Sequence, residues 1–285
     1  MKEFNKNPFS HFGNIVEPNN FVGRKNELIS LKNSILSKNS GNVAIVGLSR
    51  IGKSSLLYNS FDTIKDDLLT DRTIYFKQNF GVYNNFGEYC FELYSNILME
   101  IEDLVPDVKL YQKLLDEKNK LDESIEIPIK RNLIIKNVFQ ILKSIGIRII
   151  CALDEFDHAK QILDVPDFQF LREWGSNPDY NISLITCSRR EIKNLEPRNG
   201  ELSNFYQIFK NIYLKPFNKE EMIEYWNKFY ILNNIDLTEK KKEQIIYYAG
   251  HYPYFLDLFG SKYIESDLIL ENCKSDLEYD IRQSY

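Results

Sequence analysis

One stretch, Asn42 to Leu57 (NVAIVGLSRIGKSSLL), limits what this chain can fold into more than any other. Val43-Ala44-Ile45-Val46 is a short unbroken apolar run, the pattern of a strand buried on both faces. The next eight residues, Gly47-Leu48-Ser49-Arg50-Ile51-Gly52-Lys53-Ser54, fit G-x-x-x-x-G-K-[ST], and Ser55-Leu56-Leu57 starts an apolar helix. Gly47 and Gly52 let the backbone curl so that its N–H groups point inward at a polyphosphate. Lys53 then reaches the β- and γ-phosphates, Ser54 offers a hydroxyl to Mg²⁺, and the helix directs its positive end at the same charges. The bare pattern also arises by chance in glycine-rich turns. Its place between a strand and a helix is the context the chemistry requires, so a nucleotide site over Gly47–Ser55 is expected.

Composition excludes several classes. The 285 residues are 43% hydrophobic and 27% charged, the range of an ordinary globular protein. No apolar run approaches the ~20 residues of a membrane helix, and the start, MKEFNKNPFSHF, lacks the apolar core of a signal peptide. Cys90, Cys151, Cys187 and Cys273 are scattered without a C-x-x-C pair; Cys151 and Cys187 sit in apolar runs and read as small core residues, which suits a reducing cytoplasm. A net charge of −5 gives no sign of a nucleic-acid binder, although net charge does not report a local basic patch.

Along the chain, residues 1–20 read as an extended, turn-rich lead-in. Helices are expected over about 25–37, 53–61, 86–121 with a break at Pro106, 130–144, 168–174, 218–232, 238–249 and 254–264, and strands over 43–46, 73–76, 147–153, 182–187 and 211–214. The charged segment 112–126 reads as a solvated face. Alternating strands and helices predict an α/β fold with a parallel sheet and helices on both faces. In such sheets ligands bind beyond the carboxyl ends of the strands.

Three further groups fall just after apolar strands. Asp154 follows Cys151-Ala152-Leu153 and is placed to hold Mg²⁺, and Glu155 is placed to polarise a water for attack on the γ-phosphate. The competing reading is a surface turn, where Asp is common; Asp157 is read as solvated. Ser188-Arg189-Arg190 ends another strand, and Arg189 is the candidate sensor of the γ-phosphate. Pro253 lies between two apolar helices, either as a plain helix start or as a rigid ring against the base.

Taken together, FVGRKNEL (21–28), GLSRIGKSS (47–55), CALDEFD (151–157), TCSRR (186–190), LKPFNKEE (214–221) and GHYPYFL (250–256) resemble the STAND and archaeal-type ATPases of the AAA+ superclass, relatives of NACHT, NB-ARC and origin-recognition proteins. The resemblance spans roughly residues 20–260. It implies a P-loop NTPase three-layer sandwich with sheet order 5-1-4-3-2 over residues 21–216 and a small helical lid over 217–285. It implies ATP or ADP with Mg²⁺ as ligands. Phe21, Val22, Gly23 and Arg24 would line the adenine side, Lys53 and Ser54 would bind phosphate and metal, Asp154 and Glu155 would form Walker B, Arg189 would be the sensor arginine, and Pro253 would touch the base. The family lid motif is Gly-Gly-x-Pro, where this chain has His251 in place of the second Gly. Family members continue into further domains, so a self-contained short ATPase, an effector on another chain, or a missing C-terminal domain is expected.

The first functional expectation is a slow regulatory ATPase switch, hinged near Pro216-Phe217-Asn218, that couples nucleotide state to homo-oligomerisation or partner signalling in the cytoplasm. The alternative is a DNA-associated ATPase of the origin-recognition or transposition-regulator type, against which the acidic balance stands. A metabolic kinase has no marked acceptor pocket. Arg172, on a helix between the Walker B and sensor strands, is a weak candidate for an arginine finger.

Overall fold

The computed structural model describes residues 7–36, 41–105, 107–197 and 203–266. Cys273, the expected break at Pro106 and the lid beyond residue 266 lie outside them. The chain divides into two compact units. A sheet unit is formed by Ile29–Val46 and Thr63–Tyr213, and a helical unit by the chain up to Leu28, Gly47–Asp62 and the chain from Leu214.

The sheet unit carries five strands, β1 (Asn42–Val46), β2 (Thr73–Asn79), β3 (Arg148–Asp154), β4 (Ile182–Ser188) and β5 (Phe209–Tyr213). All neighbouring pairs are parallel in the order β2-β3-β4-β1-β5, the expected 5-1-4-3-2 read from the other edge. β1 and β4 are buried at every residue and β3 at all but the first, as continuous apolar runs require when both faces of a parallel sheet are covered. β5 is an edge strand and leaves Lys210, Asn211 and Tyr213 exposed, side chains that discourage a sixth strand. Asn42 ties the amino end of β1 to its surroundings. Its amide donates to the carbonyls of Gly175 (2.9 Å) and Ile208 (3.3 Å), and its oxygen accepts from the Leu184 N–H (2.8 Å).

The helices of this unit begin where their capping residues dictate. α4 (Phe86–Leu104) starts at Asn85, whose side chain accepts from the Glu88 N–H, α5 (Val108–Ser124) at Asp107, and α6 (Pro128–Ser144) with Pro128 in its first turn. α8 (Val165–Ser176) has a reciprocal capping box between Asp164 and Asp167. Their buried faces supply an aromatic core around Phe80, Tyr89, Phe139, Phe156, Phe168 and Trp174, all fully buried. Cys90 and Cys151 are inside it, and burial pushes both thiols up, Cys151 to about 12, so neither carries thiolate at neutral pH. No helix among the described residues is long and apolar enough to cross a membrane.

Some elements differ from expectation. Lys65–Thr70 forms a six-residue helix, α3, that its polar sequence does not announce. β2 runs three residues past the expected end, which brings Lys77 and Asn79 into the sheet. The predicted helix 218–232 is α9 (Lys219–Trp226) followed by a π-helical turn over Asn227–Ile231. Asp157 is not simply solvated: its carboxylate accepts from the Arg189 N–H at 2.6 Å, joining the chain after β3 to the end of β4.

The helical unit combines the phosphate-loop segment and α2 (Lys53–Asp62) with α9, α10 (Glu239–Ala249) and α11 (Pro253–Glu265). The lead-in belongs to it as a structural part. Phe9 is fully buried, stacked on Phe229 at 5.4 Å, and lies so close to Gly260 that a Cβ there would sit 2.4 Å from the ring. Asn7 donates to the Ser261 hydroxyl (3.1 Å), and Phe12 packs on Tyr254 at 4.8 Å.

Candidate nucleotide site

In the helical unit the loop Gly47–Gly52 is a tight turn that leads into α2. Gly52 has φ +98°, and Arg50 has φ +59°, so the backbone turns twice through the left-handed region. A Cβ on Gly47 would meet Ile51 Cγ2 at 2.9 Å, so only glycine lets the loop close. Lys53 folds back over it and donates to the carbonyls of Gly47 and Leu48, each at 3.0 Å. Leu48, Ser49 and Arg50 are exposed, and Ser54 is half-buried in the first turn of α2. Two contacts join the loop tip to the start of α11: the Tyr252 hydroxyl donates to the Ser49 carbonyl (3.3 Å), and the Arg50 guanidinium lies 4.1 Å from the Tyr254 ring centre.

The FVGR turn is held by α9. Glu221, in a capping box with Asn218, accepts from the N–H of Arg24 (2.7 Å) and of Asn218 (2.9 Å). Glu224 accepts from the Gly23 N–H at 3.4 Å. Arg24 is 3% exposed, donates to the Ile51 carbonyl (3.3 Å) and lies over the Phe217 ring; burial lowers its pKa, and the nearby Glu221 opposes that shift. Removing the clamp should therefore be costly. Glu221→Ala leaves the buried Arg24 N–H unpaired and takes the acceptor from the Asn218 N–H, at about 1–3 kcal/mol, so a melting-temperature fall of roughly 2–10 °C is expected. Circular dichroism checks this, and an unchanged melting point would show that the turn holds itself.

His251, where the resembling family has glycine, has a structural use. Its ring Nδ1 donates to the Phe217 carbonyl (2.9 Å), and its own carbonyl accepts from the Phe217 N–H (2.8 Å). The expected hinge at Pro216-Phe217-Asn218 is thus pinned to the α10–α11 turn.

A cavity of about 50 Å³ in this unit brings together Phe21, Val22, Arg24, Ile51, Gly52, Ser55 and Pro253. Gly23 does not line it. His11, Tyr225, Phe229 and Asp257 line it as well, and sequence reading missed all four. The only signal for His11 is the aromatic run Pro8-Phe9-Ser10-His11-Phe12 inside an otherwise turn-like segment.

In the sheet unit, the ends of β3 and β4 lie on the same edge as the end of β1, from which the chain enters the phosphate loop. Asp154 is 6% exposed. Its carboxylate accepts from the Glu155 N–H (3.0 Å) and pairs with Lys77 Nζ on β2 at 3.3 Å. Lys77 was also missed, since only strand register reveals it. Glu155 has φ +53° and ψ +39°, a strained left-handed conformation for a side chain of its size. Its carboxylate makes no hydrogen bond among the described residues. Arg189 is exposed at the end of β4, and its backbone is held by Asp157. Arg172 is half-buried and donates to the Ser203 carbonyl (3.3 Å), so it is engaged within its own chain.

The described residues contain no group of three His, Cys, Asp or Glu side chains able to hold a metal ion.

No family model and no curated protein matches the sequence. Solved structures do. A Walker-type ATPase of Pyrococcus abyssi is 16% identical with a TM-score of 0.56, the match covering 92% of this chain and 72% of that one. The ORC2 protein of Aeropyrum pernix in its ADP form is 15% identical with a TM-score of 0.54 over 90% of this chain and 64% of its own. Domain III of the replication initiation protein DnaA from Thermotoga maritima is 16% identical, with a TM-score of 0.51 and 95% of both chains covered. This chain spans less than two thirds of the ORC2 protein's length. With its five-stranded parallel sheet, its strand order and these neighbours, the chain has the α/β fold of the P-loop NTPases.

Proposed function

We propose that this chain is an AAA+-type ATPase that converts ATP and water to ADP and phosphate, and that its nucleotide state governs assembly in the manner of origin-recognition ATPases. One observation carries the reading. The phosphate loop leaves the carboxyl end of β1, and the neighbouring parallel strands β4 and β3 carry Arg189 and Asp154-Glu155 at the same edge. The ORC2, Cdc6 and DnaA structures among its neighbours support the origin-recognition form. A signalling switch of the STAND kind is the second reading, favoured by the contacts from the loop tip to Tyr252 and Tyr254, which couple the loop to α11.

In this reading Lys53 neutralises the β- and γ-phosphates, and Arg189 senses the γ-phosphate. Glu155 takes a proton from the attacking water. The base lies against Phe21–Arg24 and Pro253. Ser54 and Asp154 would hold Mg²⁺, which would supply charge neutralisation at the phosphates.

Solution mass by light scattering tests the assembly, with ADP and with ATP–Mg²⁺, for the wild type and Glu155→Gln. A mass increase only with ATP, larger in Glu155→Gln, is expected. Duplex DNA should then bind the assembled form, with an affinity that falls steeply as salt rises. A single mass in every state would overturn assembly as the output. Assembly without DNA binding would favour the signalling reading.

A further inference from the structure

The cavity beside the phosphate loop contains a polar arrangement that packing alone does not require. The His11 side chain is 9% exposed, and its Nε2 lies 3.2 Å from Asp257 Oδ2. The other oxygen of Asp257 accepts from the Tyr225 hydroxyl at 2.9 Å, and burial raises the phenol's pKa far enough that it stays a donor. The imidazole ring is stacked on Phe229 at 5.3 Å. His11 Nδ1 is buried and has no hydrogen-bond partner. His11, Asp257, Tyr225 and Phe229 all line the cavity, as do Ile51, Gly52 and Ser55 of the phosphate-loop segment.

The chemistry of this row fixes what His11 presents. A carboxylate only accepts, so the Nε2 facing Asp257 carries the hydrogen. In the neutral ring Nδ1 is then a bare lone pair. A buried acceptor without a donor costs about 1–3 kcal/mol, and its natural partner is a donor brought by a ligand. Resting on the nucleotide reading above, we propose that His11 is the base-reading residue: its Nδ1 accepts a hydrogen bond from the 6-amino group of adenine. Guanine has a carbonyl oxygen at that position and would set acceptor against acceptor. Asp257 and Tyr225 are positioning residues that keep the tautomer. At about 50 Å³ the cavity is smaller than a purine, so the base enters as the wall at Val16–Phe21 gives way. That wall is irregular backbone, held to α2 by the Val16 N–H on Ser55 Oγ (3.1 Å) and by Asn59 on the Val16 carbonyl (2.7 Å).

The test is calorimetric binding of ATP, GTP and purine riboside triphosphate, which lacks any group at position 6, to the full chain at pH 8. Wild type should bind ATP several-fold to tenfold more tightly than purine riboside triphosphate, the worth of one hydrogen bond, with GTP weaker still. His11→Phe keeps the stack on Phe229 and removes the acceptor, so ATP and purine riboside triphosphate should become equal. Asp257→Asn gives the sharper readout. Tyr225 still needs an acceptor and takes the amide oxygen, which leaves the amide NH₂ facing Nε2. The ring then carries its hydrogen on Nδ1, and preference should move from ATP toward GTP. A melting curve confirms that each variant is folded. Equal wild-type affinity for ATP and purine riboside triphosphate overturns the base reading alone, as does an unchanged ratio in both variants. Failure of wild type to bind any of the three overturns the nucleotide site with it.

Discussion

Replacing Lys53 with alanine should lower ATP affinity by at least ~10²-fold while leaving the melting temperature without nucleotide nearly unchanged. The ammonium already lies on the loop, donating to the carbonyls of Gly47 and Leu48. Those carbonyls are weaker partners than two phosphates. Charge-assisted hydrogen bonds contribute about 1.5–3 kcal/mol each, so losing two of them corresponds to two or more decades in affinity. Titration of a fluorescent ATP analogue measures the loss directly. Thermal shift gives an independent reading. ATP–Mg²⁺ at ~1,000 times its dissociation constant should stabilise wild type by about 4 kcal/mol. The same concentration should barely move Lys53→Ala. Tight ATP binding by the variant would remove the phosphate loop from the functional account.

The second large effect is at Glu155. Glu155→Gln should bind ATP normally and lose turnover by ~10²–10⁴-fold, the usual worth of a positioned general base. Gln preserves shape and the left-handed backbone, so binding and melting temperature should not change. Glu155→Gly separates strain from chemistry. Glycine accepts φ +53° at no steric cost, which relieves ~1–2 kcal/mol, so this variant should be more stable and equally inactive. Phosphate release at saturating ATP–Mg²⁺ measures the first effect and thermal unfolding the second. Unchanged hydrolysis in Glu155→Gln would mean that another group activates the water.

Legibility followed the range of the interactions. The β1–loop–α2 stretch was readable because its information is local: β-branched residues, two glycines and a lysine at fixed spacing. Helices were readable where apolar residues recur at helical spacing, as over about 130–144, although the start at Pro128 was not seen. The strand order came from the resemblance to known ATPases, since hydrophobic periodicity does not say which strand lies beside which. Features that depend on distant partners were hidden. Lys77 reads as a strand-end cation until the register places it beside Asp154. Asp157 looked solvated because its partner, the Arg189 N–H, lies on another strand. Phe9 and His11 sit in a segment whose Asn, Gly and Pro content signals turns, and that content outweighed two aromatic rings whose neighbours come from the far end of the chain.

Phe9 packed against Gly260 also dictates an order of events during synthesis. The two residues that meet lie at positions 9 and 260, some 250 apart, so the ring has no place to go until α11 has left the ribosome. At ~5–20 residues per second that wait is on the order of tens of seconds. The residues of the sheet unit, Ile29–Val46 and Thr63–Tyr213, are all translated before α9–α11 and can condense in that interval. The phosphate loop belongs to the unit that closes later, so a nascent chain cannot complete the cavity beside that loop before α11 has been translated.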